Sequence, residues 1–227
     1  MKHFLGKELL APNAMTIPVD ISIVQEFADP TTLPGRMISV VPKGWHSDIE
    51  WISSDDEEGF SVFESAFERL GIADYAAPYL DLDREVRLFA GFLVVRSRCT
   101  DTYFHTDWRK LNNEAFTVLT PLGDNGSDFG LLYKTMTGET GEYAYREGEA
   151  IMFGDNFQHS TKPGESEQPV AILCFQFGTD KMKHWPGINA LLNDQATQVK
   201  RPDGVLIRTG GVANRVISAR RRSLFRR

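Results

Sequence analysis

Three side chains of the sequence carry a recognisable metal chemistry. His105 and Asp107 form an H-x-D pair, and His159 follows well downstream at the start of a short strand-like run. Residues i and i+2 of an extended chain point to the same side, so the imidazole of His105 and the carboxylate of Asp107 can reach one point. A second imidazole completes a two-histidine, one-carboxylate set, which suits Fe(II) and leaves three coordination positions open. Those positions let a co-substrate and O2 reach the metal together.

The chain around these residues carries strand patterns separated by turn residues. One such pattern covers residues 37–41. The later predicted strands cover 88–99, 115–122, 129–136, 142–146, 150–153 and 169–178. About seven strands at this close spacing predict a mainly β fold with flanking helices and a double-sheet jelly-roll core.

Two of the predicted strands are expected to lead to the site. Strands 142–146 and 150–153 are interpreted as a pair joined by a tight turn, and the second is expected to deliver His159 to the metal. Cys174 and Gln176 are expected on the facing last strand. Gln176 is polar in an apolar run, so it must face the pocket or find a hydrogen-bond partner.

One helix is predicted ahead of the core, near residues 56–70. The apolar side chains at helical spacing are Phe60, Phe63, Phe67 and Leu70. Ser54 and Glu57 have the spacing of a capping box at its start, and Gly71 can end it. A second, short helix is expected over 190–192.

We expect a single domain over residues 1–227. Residues 1–87 are expected to wrap around the core, and the proline-rich first part of this region should form turns and short strands. Residues 88–178 are expected to form the jelly-roll catalytic core. Residues 179–227 are expected to form a C-terminal extension with an arginine-rich end.

The overall composition is that of an ordinary globular protein. The chain has 227 residues, of which 41% are hydrophobic and 25% charged, and its net charge of -6 gives a nucleic-acid role no support. Cys99 and Cys174 lie in apolar runs, which favours buried free thiols in a reducing compartment. Since the sequence has neither a signal-like start nor an apolar run of membrane-spanning length, we expect a cytoplasmic protein without a membrane partner.

The arginine-rich end differs in charge from the rest of the chain. Residues 215–227 hold six arginines and no acidic residue. Such a tail is typical of a contact to nucleic acid or to an acidic partner. On an acidic protein, self-association, for example as a homodimer, or a loose chain end is the simpler interpretation.

The site residues and the strands around them resemble the Fe(II)/2-oxoglutarate-dependent oxygenases over residues 90–178. The H-x-D pair and the stretch G-E-A-I-M-F-G-D before His159 carry this resemblance. In that family a double-stranded β-helix holds iron, which implies His105, Asp107 and His159 as ligands here. The resemblance also implies 2-oxoglutarate and O2 as co-substrates, with succinate and CO2 as products. Because halogenating members typically have a small residue at the carboxylate position, Asp107 favours hydroxylation or desaturation.

The sequence departs from the commonest family pattern at the far carboxylate of 2-oxoglutarate. Many relatives bind it with an arginine shortly after the distal histidine, but residues 167–172 contain no basic residue. A buried carboxylate without a cation is costly, so a substitute is expected elsewhere. The JmjC-like branch uses a lysine on the fourth core strand and a threonine just before the first histidine. Lys134 and Thr102 match that arrangement in part, and Arg96 and Arg98, on the strand before the H-x-D pair, are the competing cations.

Other residues near the pair have two interpretations each. Trp108 either lines the mouth of the site or packs in the core. Arg109 and Lys110 are interpreted as exposed loop charges, with binding of an anionic substrate group as the alternative.

The sequence therefore predicts an Fe(II)- and 2-oxoglutarate-dependent dioxygenase that acts on a small molecule or an amino-acid-like substrate. Two alternatives stay open: a cupin-type iron dioxygenase that needs no 2-oxoglutarate, and a jelly-roll binding module without turnover. The missing arginine after the distal histidine keeps the first of these alternatives open.

Overall fold

Strands dominate the computed structural model, which describes residues 9–11, 13–40, 49–192, 196–209 and 214–216. The strands are β1 (Leu9–Ala11), β2 (Ala14–Pro18), β3 (Met37–Val40), β4 (Glu50–Ser54), β5 (Arg87–Cys99), β6 (Ala115–Pro121), β7 (Gly130–Lys134), β8 (Thr140–Ala144), β9 (Glu149–Phe153), β10 (His159–Thr161), β11 (Gly164–Gly178), β12 (Gln198–Lys200), β13 (Leu206–Arg208) and β14 (Asn214–Val216). The helices are α1 (Ile21–Gln25), α2 (Glu57–Arg69), α3 (Ile72–Ala76) and α4 (Trp185–Asn189), with short 3-10 turns at Ala77–Tyr79, Asp124–Asp128 and Met182–His184.

The strands form a large and a small antiparallel sheet that face each other across a cavity. The large sheet has the order β1-β2-β9-β6-β11-β5-β4-β3-β14, and the small sheet has the order β10-β7-β8. Strands β12 and β13 pair separately. This arrangement confirms the predicted mainly β fold with a jelly-roll core.

Strands β5 and β11 form the centre of the large sheet and divide its two faces by residue parity. Their register places Phe92 opposite Cys174 and Arg96 opposite Val170, and all four side chains line the cavity between the sheets. Residues between them point to the other face, as the period of two in a strand requires. Leu93 is among these and belongs to the main hydrophobic core.

Helix α2 covers that other face of the large sheet. Phe67 packs against Phe175 with ring centroids 5.7 Å apart. Phe63 lies over Gly91 of β5, where an added Cβ would come within 2.5 Å of the Phe63 Cβ. A side chain at position 91 would therefore push the helix off the sheet.

The predicted helix near 56–70 is confirmed, but its predicted cap is wrong. The carboxylate of Asp56 accepts a hydrogen bond from the Gly59 N–H at 2.7 Å, so Asp56 takes the capping role that was expected of Ser54, two residues earlier. Ser54 instead ends β4. Gly71 follows the helix with φ of 63°, a left-handed conformation that is common just after a helix.

The predicted pairing of the strands over 142–146 and 150–153 is wrong. β8 pairs with β7 in the small sheet, whereas β9 lies between β2 and β6 in the large sheet. The chain between them crosses from one sheet to the other, with Gly148 at φ of 78°. A short connection that ends in one glycine suits both a hairpin and this crossover, so the local pattern did not separate them.

The smaller helices differ from expectation at both ends of the chain. The helix expected over 190–192 lies earlier, because α4 carries Pro186 in its first turn, where the fixed φ of proline favours a helix start. Helix α1 was not predicted within the proline-rich region. Asp20 starts it by accepting a hydrogen bond from the Ser22 N–H at 2.9 Å.

Cys99 and Cys174 are both buried free thiols, as predicted. Residues 41–48 and the arginine-rich stretch beyond residue 216 lie outside the described residues. None of the helices within the described ranges has the length and apolar character needed to cross a membrane.

Candidate metal centre

A two-residue backbone bridge brings the two candidate histidine ligands together. The His105 N–H donates to the His159 carbonyl, and the His159 N–H donates to the His105 carbonyl, both at 2.9 Å. Directly opposed residues of an antiparallel pair project their side chains to the same side. His159 begins β10, whereas His105 lies in an extended segment with this one isolated bridge, rather than in the regular strand that the H-x-D spacing suggested.

The donor atoms of the three predicted ligands converge. Asp107 Oδ1 lies 3.6 Å from His105 Nε2 and 3.8 Å from His159 Nε2. All three donor atoms lie within 4.8 Å of one another, close enough to hold one metal ion. The donor set of two imidazoles and one carboxylate is the set that suits Fe(II).

Backbone carbonyls orient both imidazole rings. His105 Nδ1 lies 3.0 Å from the Tyr103 carbonyl, and His159 Nδ1 lies 3.2 Å from the Phe157 carbonyl. Since a carbonyl only accepts, each Nδ1 must carry the hydrogen, and each Nε2 keeps its lone pair toward the site. Burial lowers the pKa of His159 to about 4, so this ring is neutral near pH 7 and able to coordinate.

A short hydrogen-bond chain fixes the carboxylate of Asp107. The Thr117 hydroxyl donates to Asp107 Oδ2 at 2.8 Å and accepts from Trp108 Nε1 at 2.9 Å. Oδ1 is thereby left to face the two histidines. Trp108 is fully buried, so it packs in the core rather than lining the mouth. Thr117 was not predicted as a site residue, because a threonine within an apolar strand pattern does not indicate a contact to Asp107.

The inner cavity between the two sheets adjoins the three ligands. Its volume is about 90 Å³, room for roughly six to nine water molecules. Its lining is mainly apolar and comprises Ile49, Trp51, Phe92, Val94, Arg96, Leu119, Phe129, Leu131, Tyr145, Thr161, Val170, Ile172 and Cys174, besides the ligands. Burial raises the pKa of Tyr145 and of Cys174, so both keep their protons and Cys174 does not compete as a thiolate ligand.

The three residues predicted to bind the far carboxylate of 2-oxoglutarate have different positions. Arg96 is 7% exposed and lines the inner cavity. Lys134 lies outside that lining, where its ammonium donates to the Thr140 hydroxyl at 2.7 Å and sits 4.7 Å from the Phe104 ring centroid. Thr102 is exposed and does not line the cavity either. The cavity therefore brings Arg96 to the ligands and leaves Lys134 and Thr102 outside.

Two further predicted residues lie away from the inner cavity. Arg98 is exposed and pairs with Glu165 at 3.3 Å. Gln176 is 2% exposed and lies between Ala90 and Thr117 of the neighbouring strands, beyond the cavity lining.

A second group of ligand-type side chains, formed by Asp81, Glu114 and His184, also lies within 4.8 Å. Asp81 already bonds the ammonium groups of Lys181 and Lys183, and these hydrogen bonds hold the pKa of its carboxyl well below the usual range. Two lysines neutralise the charge that a metal cation would need. We interpret this cluster as an ion-pair network.

No protein-family model and no curated protein matches the sequence. Solved structures do match. HygX from Streptomyces hygroscopicus, with nickel and 2-oxoglutarate bound, aligns at 16% identity and a TM-score of 0.55, over 76% of this chain and 85% of HygX. SnoN, a non-heme alpha-ketoglutarate-dependent epimerase from nogalamycin biosynthesis, aligns at 13% identity and a TM-score of 0.56, over 74% and 79%. This chain shares their double-stranded β-helix fold.

A further structure in the same group shows a bound small molecule. HygX with nickel, 2-oxoglutarate and hygromycin B aligns at 15% identity and a TM-score of 0.52, over 76% of this chain and 85% of that one. At these identities the similarity establishes the fold. The three converging side chains are an independent observation within that fold.

Proposed function

We propose that the chain is an Fe(II)- and 2-oxoglutarate-dependent dioxygenase that hydroxylates or desaturates a small molecule, with release of succinate and CO2. One observation carries the proposal. The donor atoms of His105, Asp107 and His159 lie within 4.8 Å, inside a fold shared with 2-oxoglutarate-binding proteins.

The three side chains fit a resident Fe(II). Both imidazoles present Nε2 toward Asp107 Oδ1, and their Nδ1 atoms are engaged by backbone carbonyls. Outer hydrogen bonds of this kind orient metal ligands and tune their basicity. When bound, iron would supply the oxidation chemistry with O2 and 2-oxoglutarate, while the protein orients the reactants and excludes water.

We place 2-oxoglutarate in the inner cavity, with Arg96 as the cation for its far carboxylate. Arg96 lies on β5, directly opposite Val170 of β11. Oxygenases that bind the far carboxylate with an arginine after the distal histidine carry that arginine on the strand that corresponds to β11. An arginine fork can fix a carboxylate with two hydrogen bonds, so one side chain suffices. Tyr145 and Thr161 also line this cavity, and their hydroxyl groups are of a type that can donate a hydrogen bond to a carboxylate.

This assignment replaces Lys134 as the first choice. The Lys134 ammonium is engaged with Thr140 and Phe104 outside the cavity lining. The rest of the inner cavity lining is mainly apolar, so a carboxylate bound there depends on Arg96 for a charge partner.

Turnover of 2-oxoglutarate tests the proposal directly. Purified protein with Fe(II) and ascorbate should convert 2-oxoglutarate to succinate slowly even without its primary substrate, and H159A should lose this activity. Protein that binds iron but neither binds nor consumes 2-oxoglutarate would favour the cupin-type dioxygenase, which the absence of a basic residue over 167–172 also favours. Iron and 2-oxoglutarate binding without any succinate, with every candidate substrate tried, would favour a binding module.

A further inference from the structure

A second, outer cavity also borders two of the candidate ligands. The two cavities share His105 and Asp107 and no other lining residue. The outer cavity has a volume of about 430 Å³, within the range of sites that bind drug-sized molecules. Its remaining lining residues are Tyr103, Phe104, Thr106, Arg109, Gln158, Ala190 and Leu191.

The charge of this outer cavity is one-sided. Asp107 is the one acidic residue in its lining, and its carboxylate is assigned to the metal. Arg109 is exposed toward solvent and lines the cavity. Lys134 adds a second cation beside two lining residues. Its ammonium lies 4.7 Å from the Phe104 ring centroid, and its backbone N–H donates to the Gln158 carbonyl at 2.9 Å. Cations without a lining acid to neutralise them favour an anionic ligand.

The backbone on both sides of Arg109 is fixed, although the side chain is exposed. The buried Trp108 precedes it and accepts from the Asn156 N–H at 2.9 Å. Leu111 follows and donates its N–H to the buried carboxylate of Asp155 at 2.8 Å. A charged side chain on a held backbone loses less entropy on binding than one on a free loop.

We propose that the outer cavity binds the primary substrate, and that this substrate carries a carboxylate or a phosphate that pairs with Arg109. The proposal rests on the oxygenase function above. Tyr103 gives the site an aromatic face, because this residue is 57% exposed and its ring stacks on His105 at 5.9 Å between centroids. A substrate anchored at Arg109 would reach the metal over His105 and Asp107, while 2-oxoglutarate occupies the inner cavity.

Small aromatic anions are suitable probes of this site. Phenyl phosphate, benzoate and the uncharged benzyl alcohol are titrated by calorimetry into the full-length protein loaded with Ni(II) and saturating 2-oxoglutarate. Both anions should bind in the millimolar range, and the alcohol at least tenfold more weakly. R109Q should weaken anion binding by about tenfold, as expected for loss of a charge-assisted contact, and K134M by a smaller factor. The ratio of phenyl phosphate to benzoate affinity identifies which anion the site prefers.

One matched variant controls the experiment. K110Q removes a positive charge from the neighbouring exposed residue, which lines neither cavity, and should leave probe binding unchanged. Three results would each overturn the proposal. R109Q and the wild type could bind the anions equally well, the wild type could bind the alcohol as tightly as the anions, or the wild type could bind no anion at all. Failure of 2-oxoglutarate to bind the Ni(II)-loaded protein, titrated before the probes are added, would instead count against the oxygenase function itself.

Discussion

Thr117 connects the buried core to Asp107, the carboxylate that we propose as a metal ligand. T117V removes the hydroxyl that donates to Asp107 and accepts from the buried Trp108 indole. We expect metal affinity to fall by roughly 10- to 100-fold, and stability by about 1–3 kcal/mol because the indole N–H loses its partner. Metal titration and urea unfolding measure the two effects.

A neighbouring threonine separates the two effects of T117V. Thr120 is also buried on β6, but its hydroxyl donates to the Glu149 carbonyl, away from the ligands. T120V should lower stability without lowering metal affinity, and T117S should restore both properties. If T120V and T117V reduced metal affinity equally, the positioning role of Thr117 would be wrong.

We predict different effects on 2-oxoglutarate affinity when Arg96 and Lys134 are replaced. Removing a cation from a buried carboxylate typically costs about 2–5 kcal/mol, roughly 30-fold or more in affinity. R96M should therefore weaken 2-oxoglutarate binding to the Ni(II)-loaded protein by at least this factor, while K134M should bind it as wild type does. Isothermal titration calorimetry compares them. The reverse result would restore the JmjC-like arrangement, and no change in either variant would move the cupin alternative ahead.

The period of two in the strands explains which of these residues the sequence could place. Leu131 of β7 lines the inner cavity, so Lys134, at odd separation from it, has to point away. Arg96 has the same parity as Phe92 and Val94 on β5, and all three line the cavity. This parity was readable from the sequence once β5 was predicted. The face that each strand turns toward the cavity was not, because both faces of these strands are apolar.

At the scale of elements, the start of α2 offers a direct test of the observed cap. Asp56 accepts hydrogen bonds from the Gly59 and Arg36 N–H groups, at 2.7 and 2.8 Å. D56A should lower the free energy of unfolding by about 1–2 kcal/mol, since two backbone donors lose their acceptor. S54A should change it much less, because Ser54 does not cap the helix. Urea unfolding of both variants decides between the observed cap and the capping box expected from the sequence.

The two sheets show where local sequence information ends. Each strand of the core has a local signal, and the predicted strands over 88–99 and 115–122 match β5 and β6 to within a residue at each end. The separation of β8 from β9 has no local signal, since it depends on β9 finding β2 and β6 across the large sheet. The H-x-D pair could be identified from its residue types, whereas its geometry depends on the backbone bridge to His159.

For the whole molecule, metal binding should raise the thermal stability. A ligand at 100 times its Kd stabilises the folded state by about 2.7 kcal/mol, which corresponds to an increase in Tm of about 5–11 °C for a chain of this size. Ni(II) should produce this increase in the wild type and in H184A, whose histidine belongs to the ion-pair cluster around Asp81. H105A and H159A should lose it, and EDTA should reverse it in the wild type. A full Ni(II) response in H159A would remove that residue from the ligand set.

The backbone bridge between His105 and His159 has a consequence for local opening. The segment between β5 and β6 contains no strand, and several of its hydrogen bonds join it to residues 155–160. The Tyr103 N–H donates to the Ser160 hydroxyl at 2.8 Å, and the Trp108 carbonyl accepts from the Asn156 N–H at 2.9 Å. A metal held by His105, Asp107 and His159 would link these two segments side chain to side chain. Amide hydrogen exchange should therefore slow at His105 and His159 when metal binds and stay unchanged along β5, because the bound metal would hold together two segments that one isolated β-bridge joins.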